Sequence, residues 1–265
     1  MAEKRVIYYE DEACDMVDFH IKSKELPEDF EYQSRNIFYR FFSFILYHII
    51  AKPILGLLMR IKYSARIKNK KILKPYKNQG IFFYGNHTCA LADVIQPSRL
   101  RKRKNFVIAS KDATSVFGIK NIVLMLGAMP IATNYKMQKK LLKAIDARIS
   151  EKKSIMIYPE ATIWPFYTSV RPFSNASFAY PINLNAPCFT LTTTYQKRKI
   201  RKKPRLTTYI DGPFFPDTSL SLKEAKEKLH DEIYEMLKKR TLEYSTYAYY
   251  DYQKKDKTNE DQLSK

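Results

Sequence analysis

The chain has 265 residues, 45% of them hydrophobic, which is enough for one domain with a full core and a terminal appendage. Its 47 lysines and arginines against 27 aspartates and glutamates leave a formal charge of +20, which favours anionic partners such as phospholipid headgroups, nucleic acid or a phosphorylated cofactor. Three widely spaced cysteines without a Cys-x-x-Cys pair argue against a disulfide framework and a zinc site, and predict a cytosolic or cytosol-facing protein.

Residues 1–35 are polar and mixed in charge, and they show neither a helical nor a strand-like period. We therefore interpret them as a polar extension. Their first part is acidic and lacks an apolar core, which argues against a secretory signal or a transit peptide.

Residues 36–66 form a predicted membrane-associating helical segment. Phe41 to Met59 is nineteen residues long and is interrupted only by Ser43, His48, Lys52 and Pro53. A helix of this length measures about 28 Å, close to the thickness of a bilayer core, but a lysine and a histidine near its middle oppose insertion. We predict a bent or paired helix, broken at Pro53, that lies in one leaflet. The alternatives are a full span and a buried helix pair of a soluble domain.

Residues 67–240 alternate short apolar strands with helical patterns, which predicts an α/β fold with a mixed central sheet flanked by helices. Asn134 is a predicted N-cap, and Ser221 with Glu224 has the spacing of a capping box. The basic run from Lys197 to Lys203 is predicted to form a hairpin tip that projects away from the sheet. Residues 241–265 are a tail rich in tyrosine and charge.

Two polar turns follow buried strands and carry the candidate chemistry. His87 and Asp93 come after the apolar run Ile81–Phe83, and Glu160 comes after a second run, Ser154–Tyr158. Side chains at the carboxyl ends of strands in an α/β sheet open into a crevice. A carboxylate that accepts a hydrogen bond from one imidazole nitrogen leaves the other nitrogen free to take a proton from a hydroxyl. His87 and Asp93 are therefore a candidate base and its orienting partner.

These blocks resemble the glycerolphosphate acyltransferase family, and its lysophosphatidate acyltransferase branch in particular. The resemblance rests on Asn86-His87 with Asp93, on Pro159-Glu160-Ala161-Thr162, and on two further blocks at 110–131 and 185–187, in that order. Three positions depart from the family: five residues separate His87 from Asp93 instead of four, Ala161 replaces a glycine, and Ile163 replaces a common arginine. One inserted residue can be absorbed in a turn.

The resemblance implies the architecture described above and an O-acyltransferase that moves a fatty acyl group from a thioester donor to a lipid hydroxyl. His87 would be the general base with Asp93, and Glu160, with Ala161 and Thr162, would bind the acceptor. The donor would be acyl-CoA or acyl carrier protein, and neither a metal nor a bound cofactor is expected. The implied location is the cytoplasmic face of a membrane, peripheral or monotopic rather than spanning, with membrane lipid as a partner. Nucleic acid is not expected, because the basic runs lack a recognised binding motif.

The nature of the acceptor depends on which cations can reach its headgroup. A phosphate monoester requires arginine or lysine within bonding distance, and Ile163 cannot supply one. Lys111 and Arg171 are the nearest candidates in chain order, and we expect one or both to hold the phosphate of a lysophospholipid-type acceptor. Two alternatives stay open: a neutral or glycolipid acceptor, and a non-catalytic membrane-binding or anion-binding protein of the same fold.

Overall fold

The computed structural model describes residues 5–16, 26–27, 29–110, 120–132 and 134–255. Within these ranges seven strands form one sheet and two form a separate pair. The strands are β1 (Arg5–Tyr9), β2 (Arg66–Lys68), β3 (Ile81–Gly85), β4 (Asn105–Ala109), β5 (Ala128–Pro130), β6 (Ser154–Ile157), β7 (Cys188–Gln196), β8 (Arg205–Phe214) and β9 (Tyr250–Lys254). The helices are α1 (Ile37–Phe44), α2 (Lys52–Tyr63), α3 (Ala90–Ser98), α4 (Lys120–Met125), α5 (Tyr135–Ser150), α6 (Ala179–Asn183) and α7 (Leu222–Tyr244).

The large sheet has the strand order β2-β8-β7-β3-β6-β4-β5. β3 is parallel to β6 on one side and to β7 on the other, whereas β7 and β8 form an antiparallel hairpin. Every residue of β3 and β6 is buried, as expected for strands covered on both faces. The predicted α/β class, with a mixed central sheet flanked by helices, is confirmed.

The core alternates across β3 because successive strand residues point to opposite faces. Phe82 and Tyr84 pack in one cluster with apolar residues of α5 and α7. Ile81 and Phe83 belong to a second cluster with β7 and β8. A third cluster joins α2, α3 and the β7–β8 hairpin. These layers fix the carboxyl end of β3, where the candidate base lies.

Both predicted helix starts are confirmed. The side chain of Asn134 accepts a hydrogen bond of 2.9 Å from the backbone N–H of Met137 at the start of α5. Ser221 and Glu224 form a reciprocal capping box at the start of α7. These caps satisfy N–H groups that have no partner within the helix.

The segment predicted to break at Pro53 is instead one continuous helix, Ile37–Tyr63, in which a π-helical stretch (Ile45–Ala51) joins α1 to α2. Pro53 lies in the first turn of α2. The wider i→i+5 bonding of a π-helical stretch relieves the conflict between a proline ring and the carbonyl one turn earlier. The helix is long and apolar enough to cross a membrane by length and composition.

The two terminal segments meet in space. β1 and β9 pair in parallel, with Arg5 opposite Tyr250 and Tyr9 opposite Lys254. The division into 1–35, 36–66, 67–240 and 241–265 stays a prediction, and the structure adds that its first and last parts share a sheet. This small sheet lies beside the loop that follows β6, as described below.

Candidate active site

The end of β3 is locked to β7 before His87 leaves the sheet. The side-chain amide of Asn86 donates to the carbonyl of Thr193 at 2.9 Å and accepts from the N–H of Thr193 at 2.8 Å. At Gly85 a Cβ atom would lie 2.7 Å from the carbonyl oxygen of Leu191, so a side chain does not fit there. The backbone that delivers His87 is therefore fixed from both sides.

The structure brings His87 and Asp93 into direct contact. His87 Nδ1 lies 2.8 Å from Asp93 Oδ2, and the same oxygen accepts a bond of 3.0 Å from the backbone N–H of Cys89. Asp93 lies in the first turn of α3 with 2% of its side chain exposed, whereas His87 is 18% exposed. The turn thus absorbs the extra residue between them. A neutral imidazole that donates from Nδ1 carries its free lone pair on Nε2.

The environment of this pair suits a base. Burial raises the pKa of Asp93, and the hydrogen bonds from His87 and from nearby backbone N–H groups oppose that rise. Among the described residues, Nε2 of His87 has no hydrogen-bond partner. Asp93 thus orients the imidazole through Nδ1, and Nε2 remains able to accept a proton.

Tyr158 is a site residue that the sequence analysis missed. Its ring stacks on the His87 imidazole at 4.6 Å and 16°, and its hydroxyl donates to the carbonyl of Asp93 at 2.6 Å. It therefore holds both members of the pair from the end of β6. Its position directly before Pro159-Glu160 was the available signal.

Glu160 carries a buried carboxylate whose two oxygens differ in their hydrogen bonds. Oε2 accepts from Nε and Nη2 of Arg171 at 3.0 and 2.8 Å. Oε1 has no hydrogen-bond partner of ordinary geometry within the described residues. Burial raises the pKa of Glu160 to about 7, while Arg171 and the backbone N–H of His87 act in the opposite direction. The carboxylate therefore faces the loop of the candidate base.

Arg171 is 1% exposed and its guanidinium makes five hydrogen bonds within the protein. Besides Glu160, these bonds reach the carbonyl of Glu12 at 3.0 Å, the hydroxyl of Thr162 and the carbonyl of Thr162. The structure thus unites Glu160, Thr162 and Arg171 in one cluster. A direct contact between Arg171 and a phosphate would have to replace one of these bonds. Lys111 lies outside the described residues.

The loop after β6 is hydrogen-bonded to the turn after β3. The N–H of Trp164 donates to the carbonyl of His87 at 3.1 Å, and the N–H of Phe166 donates to that of Thr88 at 2.8 Å. The two polar turns predicted to share a crevice therefore lie side by side. Ala161, within this loop, has a φ of 64°, a left-handed conformation that glycine adopts most readily.

Comparison with known proteins agrees with these features. The model of the acyltransferase family matches residues 64–194, which contain both polar turns. Residues 64–194 therefore match an acyltransferase domain. The prediction of an O-acyltransferase is confirmed. The solved 1-acyl-sn-glycerophosphate acyltransferase PlsC from Thermotoga maritima is similar in fold, with a TM-score of 0.53 at 13% identity over 76% of this chain and 86% of that one. No curated protein matches the sequence.

Both terminal segments pack on the acyltransferase domain at the loop after β6. Trp164 donates from Nε1 to the carbonyl of Cys14 at 2.8 Å, and its ring contacts those of Tyr9, tilted at 4.6 Å, and Tyr252, stacked at 5.1 Å. The hydroxyl of Tyr252 donates to the carbonyl of Pro165 at 2.8 Å. The cluster of tyrosines near the end of the chain was the only sequence signal of this contact.

Cys89 is poorly suited to act as a nucleophile in this acyltransferase domain. Burial and the charge of Asp93 raise the pKa of its thiol to about 11, so the reactive thiolate is disfavoured. Among the described residues, no group of three or more histidines, cysteines, aspartates or glutamates could hold a metal ion.

Proposed function

We propose that the chain transfers a fatty acyl group from a thioester donor, acyl-CoA or acyl carrier protein, to a hydroxyl of a lysophospholipid-type acceptor. The observation that supports this most is the 2.8 Å contact between His87 Nδ1 and Asp93 Oδ2, which leaves Nε2 open. An alcohol becomes a good nucleophile only when a base takes its proton during the attack. An oriented imidazole is suited to that task near neutral pH.

The proposed step needs no covalent enzyme intermediate. Nε2 of His87 takes the proton of the acceptor hydroxyl while that oxygen bonds to the thioester carbonyl carbon. The tetrahedral intermediate then collapses, the carbon–sulfur bond breaks, and the leaving thiolate takes the proton back from the imidazolium. The buried carboxylate of Asp93 stabilises the imidazolium between these two events.

Glu160 and Thr162 would bind the acceptor, next to Ala161 in the same turn. The support is Oε1 of Glu160, which has no hydrogen-bond partner of ordinary geometry among the described residues and can accept a hydrogen bond from an acceptor hydroxyl. Lys111 and Arg171 are the predicted phosphate ligands, and we propose that Lys111 alone contacts the phosphate directly. Because all five N–H groups of the Arg171 guanidinium donate within the protein, we propose an indirect role in which Arg171 holds Glu160 in place.

The membrane association of residues 36–66 is proposed from one face of the helix Ile37–Tyr63. Large apolar side chains line that face and are exposed, namely Ile37, Phe38, Phe41, Phe42, Phe44, Ile49, Ile50, Ile54, Leu57, Leu58 and Ile61. The opposite face bonds to the domain along its length: Ser43 to the carbonyl of Met125, Tyr47 to the N–H of Asn105, and Lys52 to the carbonyl of Arg101. This supports a helix that lies in one leaflet, on the cytoplasmic face, with the domain against it.

The function is tested by mixing the protein with an acyl-CoA and a panel of lysolipids, and measuring the release of free thiol. We expect lysophosphatidate to be acylated and monoacylglycerol to react more slowly. If none of the acceptors causes thiol release, the experiment is repeated with an acylated carrier protein as donor. Absence of thiol release with both donors would contradict acyl transfer. Equal use of both acceptors would instead show that no acceptor phosphate is recognised and that a neutral hydroxyl is the substrate.

A further inference from the structure

A long part of the chain is almost free of acidic residues. Residues 32–110 contain sixteen lysines and arginines and a single carboxylate, that of Asp93. Asp93 is buried against His87 and is therefore unavailable to the surface. The positive charge of this segment is therefore not neutralised by carboxylates of the same segment, which favours an anionic ligand.

Five of these cations line one groove. It has a volume of about 690 Å³ and lies between α2, β2 and the end of α3. Its lining residues are Arg60, Ser64, Ala65, Arg66, Ile67, Lys68, Lys70 and Arg99. In the described part of the chain, none of its lysines or arginines forms an ion pair with a carboxylate.

Two of the cations are held in place by the protein itself. Arg99 donates from Nη1 to Gln96 Oε1 at 2.6 Å, and Lys70 donates to the carbonyl of Arg99 at 2.6 Å. Arg99 packs against α2 at Gly56, where a Cβ atom would lie in ordinary van der Waals contact, 3.4 Å from Arg99 Nε. Burial lowers the pKa of both cations; the charge of Arg99 lowers the pKa of Lys70 further, and the charge of Arg60 lowers that of Arg99. Like charges thus lie close together with no carboxylate paired to them in the described part of the chain, and a bound anion would reduce their repulsion.

The groove adjoins the apolar face of the helix. At about 100° per residue, Leu57 and Ile61 lie on one side of α2, and Arg60 lies between that side and the groove. Leu57 and Ile61 are 58% and 56% exposed. An apolar strip next to a cationic groove matches the boundary between the acyl chains and the headgroups of a membrane.

The basic hairpin tip adds to the same surface. Arg201 donates to the carbonyl of Ile61 at 2.7 Å, and Arg198 donates to that of Lys62 at 3.1 Å. The tip between β7 and β8 was predicted to project away from the sheet, but these bonds hold it against the last turn of α2, where carbonyl groups lack helical partners. Its cations therefore lie beside the end of the apolar strip.

We propose that this groove binds the phosphate of a membrane phospholipid headgroup, while Leu57 and Ile61 enter the acyl layer beside it. The inference rests on the proposed membrane association, and it is independent of the chemistry at His87. It assigns the bound phosphate to a bilayer lipid rather than to the phosphates of the acyl donor, because the apolar strip directly borders the groove.

The test compares the full chain with Arg66→Gln/Lys68→Gln, which removes two exposed groove cations, in flotation with vesicles of phosphatidylcholine containing phosphatidate. The matched control is Lys223→Gln/Lys239→Gln, an equal loss of charge from exposed positions on α7. A cation near an anionic lipid surface contributes about 1 kcal/mol, so we expect roughly tenfold or more weaker binding for the groove variant and little change for the control. Thermal unfolding of both variants, and of Lys68→Gln alone, establishes that they are folded.

Equal loss in both double variants would overturn the proposal, since it would mean unspecific attraction. Unchanged vesicle binding with a higher KM for a soluble short-chain acyl-CoA would also overturn it and would assign the groove to the donor. A groove-specific loss of vesicle binding with an unchanged donor KM supports it. If the wild type binds vesicles through the groove but transfers no acyl group, the function proposed for His87 fails while the lipid site stands.

Discussion

Arg171 donates two hydrogen bonds to a single oxygen of Glu160, and in the described part of the chain the other oxygen has no hydrogen-bond partner of ordinary geometry. Both side chains are almost completely buried, at 1% and 0% exposure. The same guanidinium bonds the carbonyl of Glu12, so the first described segment of the chain is tied to the candidate acceptor site. Removing one partner of a buried pair commonly costs about 3–5 kcal/mol, because the remaining charge loses its compensation.

We predict that Arg171→Lys lowers transfer mainly by raising the KM for the acceptor. Burial raises the pKa of Glu160 to about 7 and Arg171 opposes that rise, so losing the arginine should raise the pKa further. If the ionised carboxylate binds the acceptor, the acidic limb of the pH–rate profile then moves to higher pH. Full pH–rate profiles of wild type and variant check this.

Two comparisons separate the possible roles of Arg171. An indirect role predicts the same relative loss with lysophosphatidate and with monoacylglycerol, whereas a direct phosphate contact predicts a loss confined to lysophosphatidate. Arg240→Lys is the control, because it disturbs a similar two-bond pair with Asp211 away from the site. An unchanged pH profile in Arg171→Lys would contradict the indirect role.

We predict that His87→Ala lowers transfer by about 10² to 10⁴, the usual contribution of a positioned general base. Asp93→Asn should retain more activity, because the imidazole remains and Tyr158 still stacks on it. His230→Ala is the control, since His230 bonds to Asp231 and to the carbonyl of Phe173, not to the candidate site. Near-normal turnover in folded His87→Ala would exclude the proposed mechanism.

Sequence patterns predicted only those parts of the site that depend on residues close together in the chain. The strand before His87, the strand before Glu160 and the caps of α5 and α7 each depend on a few neighbouring residues, and they were found. Tyr158, which lies two residues from Glu160, was missed because its stacking on His87 is set by the pairing of β3 with β6.

The same sequence patterns could not predict contacts between residues that lie far apart in the chain. β1 and β9 are five residues each and lie at opposite ends of the chain, so no local period indicates that they pair. The buried bonds of Arg171 depend on residues from the same distant segment, and a loop arginine ordinarily suggests an exposed side chain. The continuity of the helix through Pro53 depends on the π-helical stretch before it, which has no sequence signature of its own.

We predict that Ile54→Gln/Leu57→Gln/Ile61→Gln weakens binding to vesicles at least tenfold, because three exposed apolar side chains no longer enter the acyl layer. Leu242→Gln is the control, since Leu242 is even more exposed, at 72%, but lies on α7. Cysteines placed at Ile37 and Lys62 should both be labelled from the same side of the membrane. Labelling from opposite sides would establish a span.

Trp164 is the only tryptophan of the chain, so its fluorescence reports the loop after β6. We predict that Tyr252→Ala shifts its emission to longer wavelength and lowers the free energy of unfolding by about 1–3 kcal/mol, because the stacked ring and the bond to Pro165 are lost. Tyr135→Ala, at a largely exposed position, should change neither quantity. An unshifted emission in Tyr252→Ala would show that the terminal segment does not cover this loop in solution.

The last prediction concerns Ala161, where the resemblance leads us to expect glycine. A left-handed residue with a Cβ atom costs about 1–2 kcal/mol, and Ala161 has a φ of 64°. Glycine would relieve that cost but would lose about 0.5–1 kcal/mol through the greater freedom of the unfolded chain. Because Ala161 is exposed, its methyl group contributes little packing that would be lost. We therefore expect Ala161→Gly to stabilise the protein by about 0.5–1 kcal/mol, seen as a rise in Tm of roughly 2 °C for a chain of this size. Ala147→Gly, within the right-handed helix α5, should instead lower the stability by about 1 kcal/mol. A fall in Tm for both variants would show that the turn before Thr162 is not strained and that the alanine is accommodated at no cost.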